Sequence, residues 1–167
     1  MIPDVVRDLG HLTLGSRLKR LGERLQAHTQ QILDACGLEI QAAQFTYLAA
    51  IDRMGPSTIG ELAEAVGASQ PGATRTLAQL ADAGLVDIRT ASEDQRRRTV
   101  VLAKRGRELV EAGKRDVWPV IEAAVRDLCA PAKGPLLAQL TALEDGLVAV
   151  PLRDRAAAVK PARKAAR

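Results

Sequence analysis

The sequence predicts a mainly α-helical fold carrying one small β-hairpin. Three observations predict it. Apolar residues recur at helical spacing near both ends of the chain, two short capped helices follow one another in the middle, and two strand-like stretches lie just after them. At 167 residues, with 47% hydrophobic and 26% charged residues, the chain is one domain's worth or slightly more. It can bury a core without disulfides or metals.

Taking the elements in order, Leu14, Leu18, Leu21, Leu25 and Ile32 step by four, three, four and seven, and no proline interrupts residues 4 to 35. A long amphipathic helix is expected there. Gln41 to Met54 reads as a short helix closed by Gly55 and Pro56. Thr58 and Glu61 then have the spacing of a capping box, in which the hydroxyl accepts from the third helical amide and the carboxylate accepts from the cap's own amide. The helix they open runs through Val66. Gly67 stops it with a residue free to take positive φ, and Ser69 is placed to cap a helix from Gln70 to Ala83 that ends at Gly84.

Two short helices joined by a tight turn, with small Ala63 where they must cross, form a helix-turn-helix pattern. Leu85 to Arg89 then alternates like a strand, Thr90 to Gln95 is polar and turn-like, and Arg97 to Leu102 returns as a second strand. A helix-turn-helix followed by a hairpin is a winged helix. Beyond it, Glu108 to Leu128 carries the stripe Val110, Val117, Ile121, Ala124 and Leu128, with Pro119 expected to bend it. Leu136, Leu140, Leu143, Leu147 and Val150 give a last seam. So small a centre cannot cover the stripes of all these end helices. An intramolecular bundle and packing against a second copy both satisfy the periodicity.

Charge is unevenly distributed. The 24 Lys and Arg against 20 Asp and Glu give +4, but residues 153 to 167 hold six of the basic groups and one acid, which leaves residues 1 to 152 at −1. Within that near-neutral body, Arg89 to Arg107 gathers seven basic residues, Arg89, Arg96, Arg97, Arg98, Lys104, Arg105 and Arg107, against Glu93 and Asp94. Cations one hairpin beyond a recognition-type helix point to nucleic acid. Aromatic residues at 2% argue against base-stacking RNA modules.

Other chemistries find no support. Cys36 and Cys129 are too few and too far apart for a disulfide framework or a zinc site, and fit a reducing compartment. His11 and His28 have no metal spacing, and no phosphate loop or nucleophile elbow occurs, so no enzyme, metal or cofactor is expected. The longest uncharged run, Ile40 to Ile51, is too short to span a bilayer, so the expected location is cytoplasmic with no membrane partner.

Thr58 to Ala63, then Thr74 to Leu77 with Leu80, then Gly84 to Val86, and finally Asp94 to Arg96 with Leu102 and Gly106 follow in order and spacing the pattern of the MarR family of bacterial transcriptional regulators, which the chain resembles. The resemblance implies an obligate homodimer that presents two winged helices to adjacent major grooves of a pseudo-palindromic double-stranded operator, as a repressor. It divides the chain into dimerisation helices at 1–35 and 107–152, a winged helix-turn-helix at 36–106, and a basic tail at 153–167 that its composition marks as disordered.

The resemblance also assigns residues. Gln70, Thr74 and Arg75 take the base-reading positions, where Arg can fork onto guanine, Gln can pair with adenine, and the Ser69 or Thr74 hydroxyl can hold a phosphate. Asp94 and Arg96 match the wing-tip pair whose arginine enters the minor groove, with Arg97 and Arg98 alternating beside them. His11, Phe45 and Trp118 fall where relatives bind small anionic effectors. Two departures stand out: Ile88 replaces a usual arginine, and Ala103 replaces the threonine that would cap the next helix. Cys36 has no neighbouring cation to activate it and is expected to pack. The alternative function is a helical dimerisation or adaptor protein whose winged helix binds protein.

Overall fold

The computed structural model describes residues 2–90, 98–132 and 134–158. In chain order these form α1 (Val5–Asp8), a 3-10 turn (Gly10–Thr13), α2 (Leu14–Ala35), α3 (Ala42–Met54), β1 (Ser57–Thr58), α4 (Ile59–Ala65) and α5 (Gln70–Asp82). There follow β2 (Val86–Thr90), β3 (Arg98–Leu102), α6 (Lys104–Ala112), a π turn (Gly113–Val117), α7 (Trp118–Cys129), α8 (Leu136–Ala149) and α9 (Leu152–Ala158). The chain divides into two compact units, residues 1–122 and 123–167.

The first unit holds the core. Leu33, Leu48, Leu62, Leu77, Leu80, Val100, Val110 and Val117 are fully buried, so α2 to α6, the π turn and β3 share one apolar cluster. Its sheet is antiparallel in the order β1-β3-β2, with Val86 opposite Leu102 and Thr90 opposite Arg98. β1 is an element the alternation of apolar residues does not reveal: two residues are too few for a period, and only the pairing of Ser57 with Val100 and Thr58 with Thr99 defines it.

Three expectations need correction. The helix anticipated from residue 4 is interrupted, because Gly10 takes φ +56 and the chain passes through a 3-10 turn before α2 begins. The short α1 is instead tied back: Asp4 accepts from both terminal nitrogens of Arg20 at 2.9 and 3.0 Å, and the Thr13 hydroxyl donates to the Val6 carbonyl at 2.7 Å. The second correction concerns Pro119. The distortion sits one turn ahead of the proline as a π turn, where Trp118 N–H reaches back five residues to the Gly113 carbonyl. Widening this turn accommodates a proline that removes a donor and crowds the carbonyl four residues before it.

The third correction concerns the tail expected to lack structure. Its first residues form α9, since an Ala-rich run has high helix propensity and Arg155 donates to the carbonyls of Gly146 and Val150 at 2.6 and 3.0 Å. Residues 159–167 lie outside the described residues.

Candidate nucleic-acid interface

Local chemistry fixes the helix-turn-helix. The Thr58 hydroxyl accepts from Glu61 N–H at 3.2 Å while the Glu61 carboxylate accepts from Thr58 N–H at 2.7 Å, closing the capping box at the start of α4. Gly67, at φ +68, turns the chain, and Ala68 N–H donates to the Ala63 carbonyl at 2.8 Å. Ser69 then caps α5 by accepting from Gly72 N–H at 3.3 Å.

α5 has two faces. Ala73, Leu77 and Leu80 are completely buried and lock it to the core, while Gln70, Thr74 and Arg75 are exposed, as is the Ser69 cap. Among the described residues Arg75 has no ion-pair partner, and Pro71, Ala78 and Asp82 share its side of the helix at spacings of four, three and seven. The Thr74 hydroxyl donates to the Gln70 carbonyl at 2.9 Å, which leaves its oxygen as an acceptor.

Groups that hold α5 from behind were not legible as site residues. Gln44 on α3 donates to the Gln79 side chain at 3.3 Å, and buried Tyr47 shares a hydrogen bond with Thr76, burial holding its phenol above the usual range. At the other end of α5 the Arg105 guanidinium donates to the Ala83 carbonyl at 3.3 Å and approaches Glu39 at 4.0 Å, placing a cation at the negative end of the helix dipole. These contacts join residues from 22 to 66 positions apart, so no local spacing announces them.

The cation cluster read from the sequence is therefore only partly available to a ligand. Arg89 pairs with Asp87 at 3.5 Å, Lys104 with Glu108 at 3.9 Å, Arg105 is engaged as above, and Arg107 donates to the Leu102 carbonyl at 2.6 Å. Arg98 is exposed on β3. Asp94, Arg96 and Arg97 lie outside the described residues. Ile88 sits opposite Val100 and is 37% exposed, and Arg89 lies on the other face of the sheet beside Asp87. Ala103 offers α6 no side-chain cap; its own N–H is satisfied by the Leu85 carbonyl at 3.0 Å.

The three residues implied for an effector are differently placed. Phe45 is buried and meets the half-buried Trp118 edge to face, ring centroids 5.8 Å apart, whereas His11 is exposed in the 3-10 turn. An open groove of about 510 Å³ lies elsewhere, lined by Gln26, Gln30, Gln41, Ala42 and Ala43. Cys36 is exposed rather than packed, because it follows the last turn of α2 where Gly37 takes φ +71. No group of three His, Cys, Asp or Glu able to hold a metal occurs among the described residues.

Residues 37–98, from the end of α2 to the start of β3, match the family model described as MarR family. Over that segment the chain is similar to the MarR family. Solved structures of transcriptional regulators share its fold. A mutant MarR from E. coli complexed with operator DNA is 22% identical, with a TM-score of 0.69 over 87% of this chain and 99% of that one. The M. tuberculosis transcriptional regulator MOSR, in complex with DNA, is 22% identical with a TM-score of 0.65, covering 81% and 95%. BldR from Sulfolobus solfataricus is 19% identical with a TM-score of 0.63, covering 89% and 100%. At these identities the likeness is one of fold. No helix among the described residues is long and apolar enough to cross a membrane.

Proposed function

We propose that the protein is a homodimeric, sequence-specific DNA-binding transcriptional regulator, a cytoplasmic repressor that reads a pseudo-palindromic double-stranded operator with one α5 in each major groove. The observation that carries this reading is the outward face of α5. Its guanidinium at Arg75 is exposed and without an ion-pair partner among the described residues, on a helix whose opposite face is fully buried. A guanidinium held on a rigid helix is suited to fork onto guanine O6 and N7, Gln70 to pair with adenine, and Ser69 and Thr74 to hold phosphate. Arg96, oriented by Asp94 and flanked by Arg97 and Arg98, serves the minor groove in the same scheme.

Dimerisation is supported by apolar surface without cover: Ile2, Leu12, Leu137 and Val148 are each more than three-quarters exposed, and Leu18, Leu21, Leu143 and Leu147 roughly half. A small anionic effector near His11, Phe45 and Trp118 belongs to the same proposal. Trp118 is the chain's single tryptophan, so its fluorescence reports that ligand's arrival.

The deciding experiment is selection of bound duplexes from a random library at fixed salt, which should enrich a motif of two inverted half-sites. Arg75→Ala should then weaken binding by roughly 1 to 3 kcal/mol and relax preference at one position per half-site. Equal loss on selected and random DNA reassigns Arg75 to a phosphate. Absence of any enriched motif overturns the function and leaves the adaptor reading.

A further inference from the structure

The junction between α6 and α7 is built with unusual care. A π turn carries one residue more than the α-helical path, so Trp118 and the first turn of α7 are rotated by about 100° relative to a continuous helix. Three groups hold that extra residue in place. The ring of Phe45 lies on Gly113 so closely that a Cβ there would collide with the ring tip. Lys114 reaches two carboxylates, Asp52 at 2.7 Å and Glu111 at 2.8 Å. Trp118, the first residue after the turn, packs its ring against the same Phe45, and Val117 is buried.

Two of these anchors come from α3, where Phe45 and Asp52 are seven residues apart on one side of the helix. α3 also backs the reading helix, through Gln44 to Gln79 and Tyr47 to Thr76. The position of α5 and the placement of Trp118 at the start of α7 are thus both referred to α3.

We propose that Gly113 and Lys114 are positioning residues that set the separation of the two α5 helices in the dimer, and with it the half-site spacing the protein accepts. The proposal rests on the dimeric DNA-binding reading and adds a determinant at the joint between α6 and α7. Gly113 admits the Phe45 ring where any side chain would expel it. Lys114 neutralises two carboxylates from α3 and α6 that would otherwise repel each other across the turn. Loss of either restraint lets the packed joint take further discrete arrangements.

The test needs a readout that ordinary destabilisation does not move. In full-length protein with Cys36→Ser and Cys129→Ser, a nitroxide on Ala78→Cys, on the exposed face of α5, reports the distance between copies by dipolar spectroscopy. The parent should give one narrow distribution, and Lys114→Gln should widen it by about twofold or more while far-UV circular dichroism is unchanged. Lys114→Arg should restore the narrow distribution, and Gly113→Ala should reproduce the widening by an independent route. On DNA, Lys114→Gln should keep its affinity for a single half-site within about twofold while its preference among spacer lengths flattens. An unchanged distribution, or an equal loss on single and paired half-sites, overturns the proposal. Absence of any distance between copies removes the dimer and the proposal together, whereas an intact distance effect in a protein that binds no duplex overturns only the DNA reading.

Discussion

Gly106 illustrates how one residue can fix the wing without touching a ligand. A Cβ at this position would fall on the carbonyl oxygen of Leu85, the residue just before β2, so α6 approaches the start of the strand as closely as its backbone allows. Leu85 also accepts from Ala103 N–H at 3.0 Å. Gly106→Ala should therefore destabilise by roughly 1 to 3 kcal/mol, the range for forcing an extra carbon into a packed site, read as a shift in urea midpoint at unchanged slope. A midpoint equal to the parent's would show that the strand yields. At Asp94 the expected sign is counter-intuitive. If it orients Arg96, Asp94→Ala should weaken operator binding although it removes a charge that repels phosphate; tighter binding at both of two salt concentrations would leave only a basic hairpin.

At the scale of elements, what the sequence discloses follows how local each determinant is. The caps at Thr58 and Ser69, the turn at Gly67 and the boundaries of α5 are set by residues within four positions of one another, and all are legible. The identity of Arg75 as an outward residue is equally local. What escapes are contacts between distant segments: β1, visible only through β3, and Arg105, whose partners are Ala83 and Glu39. The same distinction explains the misjudged N-terminal helix. Apolar spacing there is compatible with one continuous element, but the positive φ of Gly10 and the Asp4–Arg20 pair favour a folded-back arm.

That arm carries a pH signature. The Arg20 guanidinium bonded to Asp4 holds its carboxyl below the ordinary value of 3.8, with Arg7 N–H assisting. A carboxyl whose pKa is depressed by folding contributes stability above its ordinary pKa and loses it as pH falls through the depressed one. The arm should accordingly stay docked at neutral pH and detach in acid below the ordinary carboxylate range, seen as loss of amide protection, relative to the intrinsic exchange rate at each pH, at residues 5–9. Arg20→Gln should leave these amides with little protection relative to the intrinsic rate at every pH. Because both side chains are more than a third exposed and solvent screens the pair, global unfolding should shift little.

At the scale of the whole molecule, the apolar seams of α2 and α8 pose a question that one chain leaves open. Leu143 and Leu147 are 48% and 55% exposed, although their spacing is that of an interface helix. Leaving several leucines in water forgoes about 1.5 to 3 kcal/mol for each that a partner would fully bury. A stable interface of about 1,200 to 2,000 Å² would recover that energy, whereas the dispersed exposure of a lone leucine would need no explanation. Leu143→Asp places a charge without a counter-ion in such an interface and should dissociate the dimer. Light scattering at micromolar concentration should then report a monomer of 17.8 kDa where the parent reports twice that mass. Because Leu143 lies outside the buried core, circular dichroism should show helix content preserved, separating dissociation from unfolding. Single half-site binding should survive while the gain from pairing two half-sites disappears, since that gain arises from tethering rather than from any contact in α5. A parent that scatters as a monomer with normal helix content would remove the paired reading altogether.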